Sequence, residues 1–299
     1  MNKYQNLIKK LGKNRIKYNE PMAIHTTIGI GGPADLFYIA KTKTELIKAV
    51  NLANKDKIPY FVLGGGSNIL ITNKGIRGLV IKNNSSRITR RNLLVKVESG
   101  VITQKLVNFT IEKGLAGLEY FSGFYGTVGG AIYNNAHFKD KFIFDPLEKI
   151  EILTKAGKKL LVDKNKVKHG YDFTSFQKTK DLILELHFKL KKGNKKLLNK
   201  TALEVLKIRR QKHPMAKKSA GCMFKNPKLA PAGILIDRAG LKGKKVGEAM
   251  VSEKHAAFII NKGNASCQDV LKLISLIKRQ VYNKFKVNLQ TEVFLIGEK

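Results

Sequence analysis

Strand-like and helical patterns follow one another along this 299-residue chain, which predicts a fold of mixed α and β structure. Three observations carry that expectation. Short apolar runs at 59–63, 78–82 and 93–98 are interspersed with helical patterns that open at Thr42 and Thr103. A glycine cluster, Gly64-Gly65-Gly66, stands directly behind the first of these runs, and a second glycine-rich stretch extends from Ser122 to Ala136. Near the end, a capped helical pattern at Ser266 lies between strand-like runs at 255–260 and 287–296.

The elements can be justified in order. Thr42-Lys43-Thr44-Glu45 has the capping-box spacing and opens a helix through Leu46, Ile47 and Val50. Pro59-Tyr60-Phe61-Val62-Leu63 reads as a strand that ends abruptly at Gly64. Thr103 to Lys113 reads as a helix stopped by Gly114. Residues 147–190 read as β-structure, with runs at 150–153 and 181–188. The charged run Lys191-Lys192-Gly193-Asn194-Lys195-Lys196 is the expected domain boundary. It separates a region 1–190, divided again near 75–85, from a region 197–299. Past it, a helix carrying Leu203, Val205, Leu206 and Ile208 leads to the segment Ser219 to Pro227. Pro231 to Gly240 reads as a short helix with Pro at its first turn and Gly at its end. Ser266-Cys267-Gln268-Asp269 caps a helix through Val270, Leu273, Ile274, Ile277 and Val281, and a strand over 287–296 closes the chain.

Composition narrows the function class. The chain is 43% hydrophobic and has no stretch near 20 apolar residues, so a packed core and no membrane span are expected. The first ten residues lack an apolar signal core, and two cysteines form neither a disulfide framework nor a zinc pattern; a cytoplasmic protein with reduced thiols is expected. There are 57 Lys+Arg against 22 Asp+Glu, a net charge of +35. The lysines are spread along the chain without any RNA- or DNA-binding motif, which reads as a generally basic surface that attracts phosphate-bearing small molecules. His25, His169, His213 and His255 are scattered without metal-ligand spacing, and no metal is expected.

The chemistry-bearing motifs are loops. Gly64-Gly65-Gly66-Ser67-Asn68 follows a strand, where successive backbone N–H groups can form an anion-binding nest. Its spacing is neither G-x-G-x-x-G nor that of a P-loop. A lone cluster of this kind reads first as a tight structural turn. The second stretch, with Gly123, Gly126, Thr127, Gly130 and Ala131, makes a pair of loops, and a pair fits a long ligand with a pyrophosphate, such as FAD. In Ser219 to Pro227, small residues flank Cys222 and let a bulky ligand approach the backbone. A thiol there is either a transferable proton or a small buried hydrophobe. Cys267, on an amphipathic helix, takes the second reading.

Together these segments resemble one family. The segment from Ile28 to Asp35, the loop Gly64 to Asn68 with its flanks, Gly117-Leu118-Glu119 leading into Gly126 to Ala131, Ala220 to Pro227, Ala232 to Asp237, Leu241-Lys242-Gly243, and Thr291 to Gly297 resemble the UDP-N-acetylenolpyruvoylglucosamine reductases, in family order over about residues 20–297, in the compact subtype. The resemblance implies an α+β protein: an FAD-binding half of the vanillyl-alcohol-oxidase type and a C-terminal α+β substrate-binding domain. It implies an NADPH-dependent, FAD-mediated reduction of UDP-N-acetylglucosamine enolpyruvate to UDP-N-acetylmuramate, a step of peptidoglycan synthesis, by a monomer. Cys222 falls on the family's proton-donor position, often Ser, and Glu292 on its second catalytic position. Gly64, Gly65, Gly66, Ser67, Asn68, Gly123, Gly126, Thr127, Gly130 and Ala131 fall on the cofactor loops. Arg210 and Asn226 fall on contacts to the nucleotide end of the substrate.

Departures from the family pattern are equally specific. Where the family places Arg after Tyr, this chain has Asp172 after Tyr171, an anion where charge stabilisation of an enolate calls for a cation. Another cation could take over, with Arg209, Lys217 and Lys218 the candidates; Asp172 could turn away; or activity could be impaired, leaving a flavoprotein that only binds UDP-sugar or nucleic acid. A flavin oxidase of another small molecule is the further alternative. Phe124-Tyr125 and His137-Phe138 also depart from the pattern.

Overall fold

The computed structural model describes residues 4–298. Two compact units divide the chain. One takes residues up to Ile16, 38–65 and 81–208; the other takes 17–37, 66–80 and 209 onward. The chain passes between them inside the strands Pro33–Ala40 and Ile76–Asn83. Among the described residues, no helix is long and apolar enough to cross a membrane.

The first unit is built on a five-stranded antiparallel sheet. Its order is Lys159–Asp163, Leu147–Leu153, Leu182–Lys189, Leu94–Glu98, Ile88–Arg91. The three central strands are largely buried, with Val95, Val97, Ile150, Leu186 and Phe188 in the core. The two edge strands are mostly exposed and carry Lys159, Arg90 and Arg91, charges that discourage pairing with another sheet edge. The helices Thr103–Glu112 and Val128–Tyr133 supply Leu106, Val107, Val128 and Ile132 to the same core. Gly114, at φ +64°, ends the first of them as its position behind Lys113 predicts.

Across this sheet runs a row of carboxylates. Glu151 pairs with Glu185, and Glu185 with Glu98, in directly opposed positions. Like charges so placed repel. Lys43, at the start of the helix Lys43–Lys55, resolves the repulsion, with Nζ donating to Glu151 at 2.5 Å and to Glu185 at 2.8 Å. His187 lies 2.9 Å from Glu185 on its other side. The hydrogen bond with His187, reinforced by Lys43 and opposed by burial, holds the Glu185 carboxyl at about 2.

The second unit packs a four-stranded antiparallel sheet, in the order Lys218–Cys222, Phe258–Asn261, Ala249–Val251, Lys245–Val246, with two helices. The helix Cys267–Phe285 lays Val270, Leu273, Ile277 and Val281 into the core. The predicted capping box is complete: Ser266 Oγ accepts from Asp269 N, and Asp269 accepts from Ser266 N. Cys267 is 2% exposed, and burial pushes its thiol up to about 11, the inert reading its sequence setting favoured.

The expected strand over 287–296 shortens to Phe294–Ile296, which runs parallel to Ile69–Ile71. Residues 287–290 alternate in burial, the period that suggested a strand, yet they lie outside any ladder. Glu292 therefore sits just outside a strand, beside the isolated bridge between Thr291 and Phe224. The expected strand at 255–260 starts late, at Phe258, because Ser252 Oγ accepts from Lys254 N and His255 N and turns the chain there.

Candidate active site

In the first unit the two glycine loops touch. A Cβ on Gly64 would lie 2.6 Å from Thr127 Oγ1, and one on Gly65 would overlap the Cα of Gly126. Neither position has room for a side chain, which is the physical demand behind the glycines. Thr127 is the N-cap of the helix Val128–Tyr133, its Oγ1 accepting from Gly130 N at 3.3 Å. Gly123 N donates to Gln104 Oε1 at 2.6 Å, Val128 N to Val101 O and Gly129 N to Ser99 O. The second loop is thereby pinned along its length, while Gly130 stays exposed and Ala131 is buried. Backbone brought this close, and tethered this fully, fits a cofactor with an extended diphosphate.

The second unit holds the rest of the first glycine loop, and it holds the thiol. Gly66, at φ +69°, has no room for a Cβ against the carbonyl of His25. Thr27 N donates to Gly66 O at 3.0 Å, and Thr27 Oγ1 to Ser219 O at 2.7 Å, so one threonine fastens the glycine loop to the strand Lys218–Cys222. Asn68 O accepts from Phe294 N, and Met223 O accepts from Glu292 N at 2.9 Å. Gly66, Ser67, Asn68, Cys222 and Glu292 thus belong to one hydrogen-bonded neighbourhood.

Cys222 is aimed by a bulge. Ser219 pairs with Ile260 and Cys222 with Phe258, so that Ala220 and Gly221 stand opposite Ile259, two residues against one. The extra residue is absorbed at Ala220-Gly221, with Gly221 at φ +80°. Because side chains alternate along a strand, one inserted residue turns Cys222 to the opposite face from the one a regular ladder would give. The thiol is half-buried there.

The cation beside it is Arg209, a residue the sequence offered only as one of three candidates. It ends a buried stripe on the helix Lys195–Lys212, spaced Leu198, Ala202, Val205, Arg209, and is 8% exposed. That spacing is the signal by which sequence reading could have preferred it, because a guanidinium in the position of a core residue is placed there at a desolvation cost. Burial draws Arg209 down to about 10, and the nearby charge of Cys222 acts in the opposite direction. Lys217 and Lys218 are exposed, as is Arg210. Arg209 and Arg210 therefore do not form a side-by-side pair.

Asn226 is exposed, and its Oδ1 accepts from Ala232 N at 2.9 Å, capping the helix Ala232–Arg238. Phe258, the ladder partner of Cys222, packs against His213 and His255 with ring centroids 5.2 and 5.1 Å away. Burial, with the adjacent His255 and Arg209 acting the same way, pushes His213 down to about 4. Among the described residues, no cluster of His, Cys, Asp or Glu is suited to a metal.

Asp172 belongs to the first unit. It is buried, sits at φ +50°, and lies 3.6 Å from His137 Nδ1. Its carbonyl accepts from Gln177 Nε2, and Asn135 Nδ2 donates to Gly170 O, which holds the turn. Two departures from the family pattern, Asp172 and His137, are partners of each other.

The comparisons with known proteins agree along the whole chain. A model of an FAD binding domain matches residues 34–162, and a model of the C-terminal domain of UDP-N-acetylenolpyruvoylglucosamine reductase matches residues 213–296. The reductase of Caldanaerobacter subterraneus subsp. tengcongensis is 39% identical over 290 residues, covering 97% of this chain and 96% of its own. That of Clostridium kluyveri is 37% identical over 303 residues and covers 100% of both. The crystal structure of the reductase from Thermus caldophilus matches with a TM-score of 0.81 at 32% identity, over 94% of this chain and 98% of that one. The expected architecture, an FAD-binding half followed by a C-terminal α+β domain, is borne out, and the chain belongs to the UDP-N-acetylenolpyruvoylglucosamine reductase family.

Proposed function

We propose that this chain catalyses the NADPH-dependent, FAD-mediated reduction of UDP-N-acetylglucosamine enolpyruvate to UDP-N-acetylmuramate, with Cys222 as proton donor. The observation that carries the reading is the bulge at Gly221, which turns a thiol into a neighbourhood shared with Gly66 to Asn68, Glu292 and Arg209. The two glycine loops would hold FAD, which when bound would supply the hydride chemistry that links NADPH to the enolpyruvyl group. Reduction of the double bond adds that hydride and one proton, so the residues must supply the proton. Cys222 gives it, and Arg209 stabilises the thiolate that remains until solvent restores it. Glu292, held by its N–H on the Met223 carbonyl, orients the substrate for that transfer.

Gly64, Gly65, Gly66, Ser67, Asn68, Gly123, Gly126, Thr127, Gly130 and Ala131 hold the cofactor. Arg210 and Asn226 hold the nucleotide end of the substrate, Asn226 while also capping its helix. Residues 1–190 form the FAD-binding region and 197–299 the substrate-binding domain, in a cytoplasmic monomer without a specific nucleic-acid partner. The test is anaerobic half-reaction kinetics. Cys222→Ala is expected to leave bleaching of the yellow protein by NADPH at the wild-type rate and to abolish reoxidation by the enolpyruvyl substrate. Equal loss of both half-reactions would remove Cys222 from the role of acid.

A further inference from the structure

Lys82 is an unusual lysine in a chain that carries its other cations largely on the surface. From Gly78 to Asn83 the strand Ile76–Asn83 is buried at every position except this one, which is partly buried, with Ile81 and Asn83 enclosed on either side. Its ammonium donates to the carbonyl of Gly64 at 2.5 Å. Burial alone draws the group down from its ordinary value, and no carboxylate contributes. Among the described residues Lys82 makes no ion pair. A chain with a net charge of +35 has no need of one more cation for solubility, and enclosing an ammonium opposite a neutral carbonyl costs free energy unless an anion completes the site. The carbonyl it holds belongs to the residue whose missing Cβ lets the first glycine loop meet Thr127 of the second.

We propose that Lys82 is a positioning residue for the dinucleotide, fixing the end of the first glycine loop through Gly64 and supplying the counter-charge to the ligand's diphosphate. The inference rests on the FAD reading above. It assigns the cationic part of diphosphate recognition to a strand lysine and leaves the glycine loops to provide backbone N–H groups. A charged partner to a phosphate contributes more than a neutral one, and an ammonium acts as a point charge that needs no forked geometry.

Apo-protein titrated with FAD and with riboflavin, followed by quenching of flavin fluorescence, tests this. Lys82→Met is expected to weaken FAD binding about thirtyfold, as loss of a charge-assisted phosphate contact does, and to leave riboflavin, which has no phosphate, within about twofold of wild type. Lys82→Arg is expected to restore FAD affinity to within about threefold of wild type. Wild-type FAD affinity in Lys82→Met would overturn the proposal, and so would a parallel loss of FAD and riboflavin, which is what a purely structural lysine gives. Lys82→Gln serves as a second neutral variant if the apo form of Lys82→Met melts more than about 5 °C below wild type. A wild-type protein that binds neither flavin would overturn the FAD reading itself, an outcome distinct from any behaviour of the variants.

Discussion

At position 221 the backbone demands a glycine for conformation and not for space. A Cβ there would meet only Ser67 O, at 3.8 Å, in ordinary contact, but φ of +80° lies where L side chains are strained. Gly221→Ala is therefore expected to lose roughly 1–2 kcal/mol of stability if the bulge persists. If the bulge relaxes instead, Cys222 swings away, and substrate-dependent reoxidation slows while reduction by NADPH does not; denaturant melts and stopped-flow traces separate the two. Arg209→Met is expected to slow reoxidation about a hundredfold, the scale on which one charge-stabilising donor acts, with Arg209→Lys recovering part of it. The sequence exposed the thiol because small residues, Ser219, Ala220 and Gly221, lead into it. It concealed the aim of the thiol, since a bulge is a matter of register between strands far apart in the chain, and it concealed Arg209 because burial of one helix position depends on what packs over it. The pairing of Asp172 with His137 was hidden for the same reason.

Among the elements, the carboxylate row across the five-stranded sheet sets the response to acid. Glu185 titrates near 2 in the folded protein and near 4.5 when unfolded, so its contribution, about 3 kcal/mol, is present above pH 4.5 and lost as pH falls towards 2. His213 works in an adjoining window. Its folded value of about 4 lies below its unfolded value of 6.5, so stability is complete above pH 6.5 and declines by about 2–3 kcal/mol as pH falls to 4. His213→Phe is expected to flatten the decline between pH 6.5 and 4, and Lys43→Met, which leaves Glu151 and Glu185 opposed, to destabilise at neutral pH by about 2–3 kcal/mol; urea melts against pH check both. Helices were the legible elements. Ser266-Cys267-Gln268-Asp269 and Gly114 announce their ends through local chemistry, and the structure places caps where they stand. Strands were less so, because alternation at 287–290 is met without a ladder, by local packing on Leu289.

For the molecule as a whole, the charge of +35 acts on encounter rates. NADPH and a UDP-sugar are polyanions, and the field of the protein draws both inward. Raising ionic strength from about 0.01 M to about 0.15 M shortens the screening length from about 30 Å to about 8 Å. The second-order rate constant for reduction by NADPH is expected to fall severalfold across that range while the limiting rate at saturation holds; an unchanged second-order constant would mean that the charge is spread too evenly to steer. The family could be read from the sequence because its glycines, its Gly-Cys segment and its acidic C-terminal residue keep their order. The division into units could not, since each unit gathers three separated stretches of chain.

That interleaving has a consequence for synthesis. The strand Ile69–Ile71 finds its parallel neighbour in Phe294–Ile296, and Thr27 waits for Ser219. A ribosome adding about 5–20 residues per second reaches those partners some ten seconds or more after the early segments have emerged. During that interval residues 17–37 and 66–80 are committed to a unit whose larger part has not yet been made. The nascent chain must hold the apolar Ile28, Ile30, Leu70 and Ile71 uncovered until residues 219–296 arrive, so a message truncated before codon 294 is expected to yield a protein with an orphaned strand and a glycine loop that has lost its anchor.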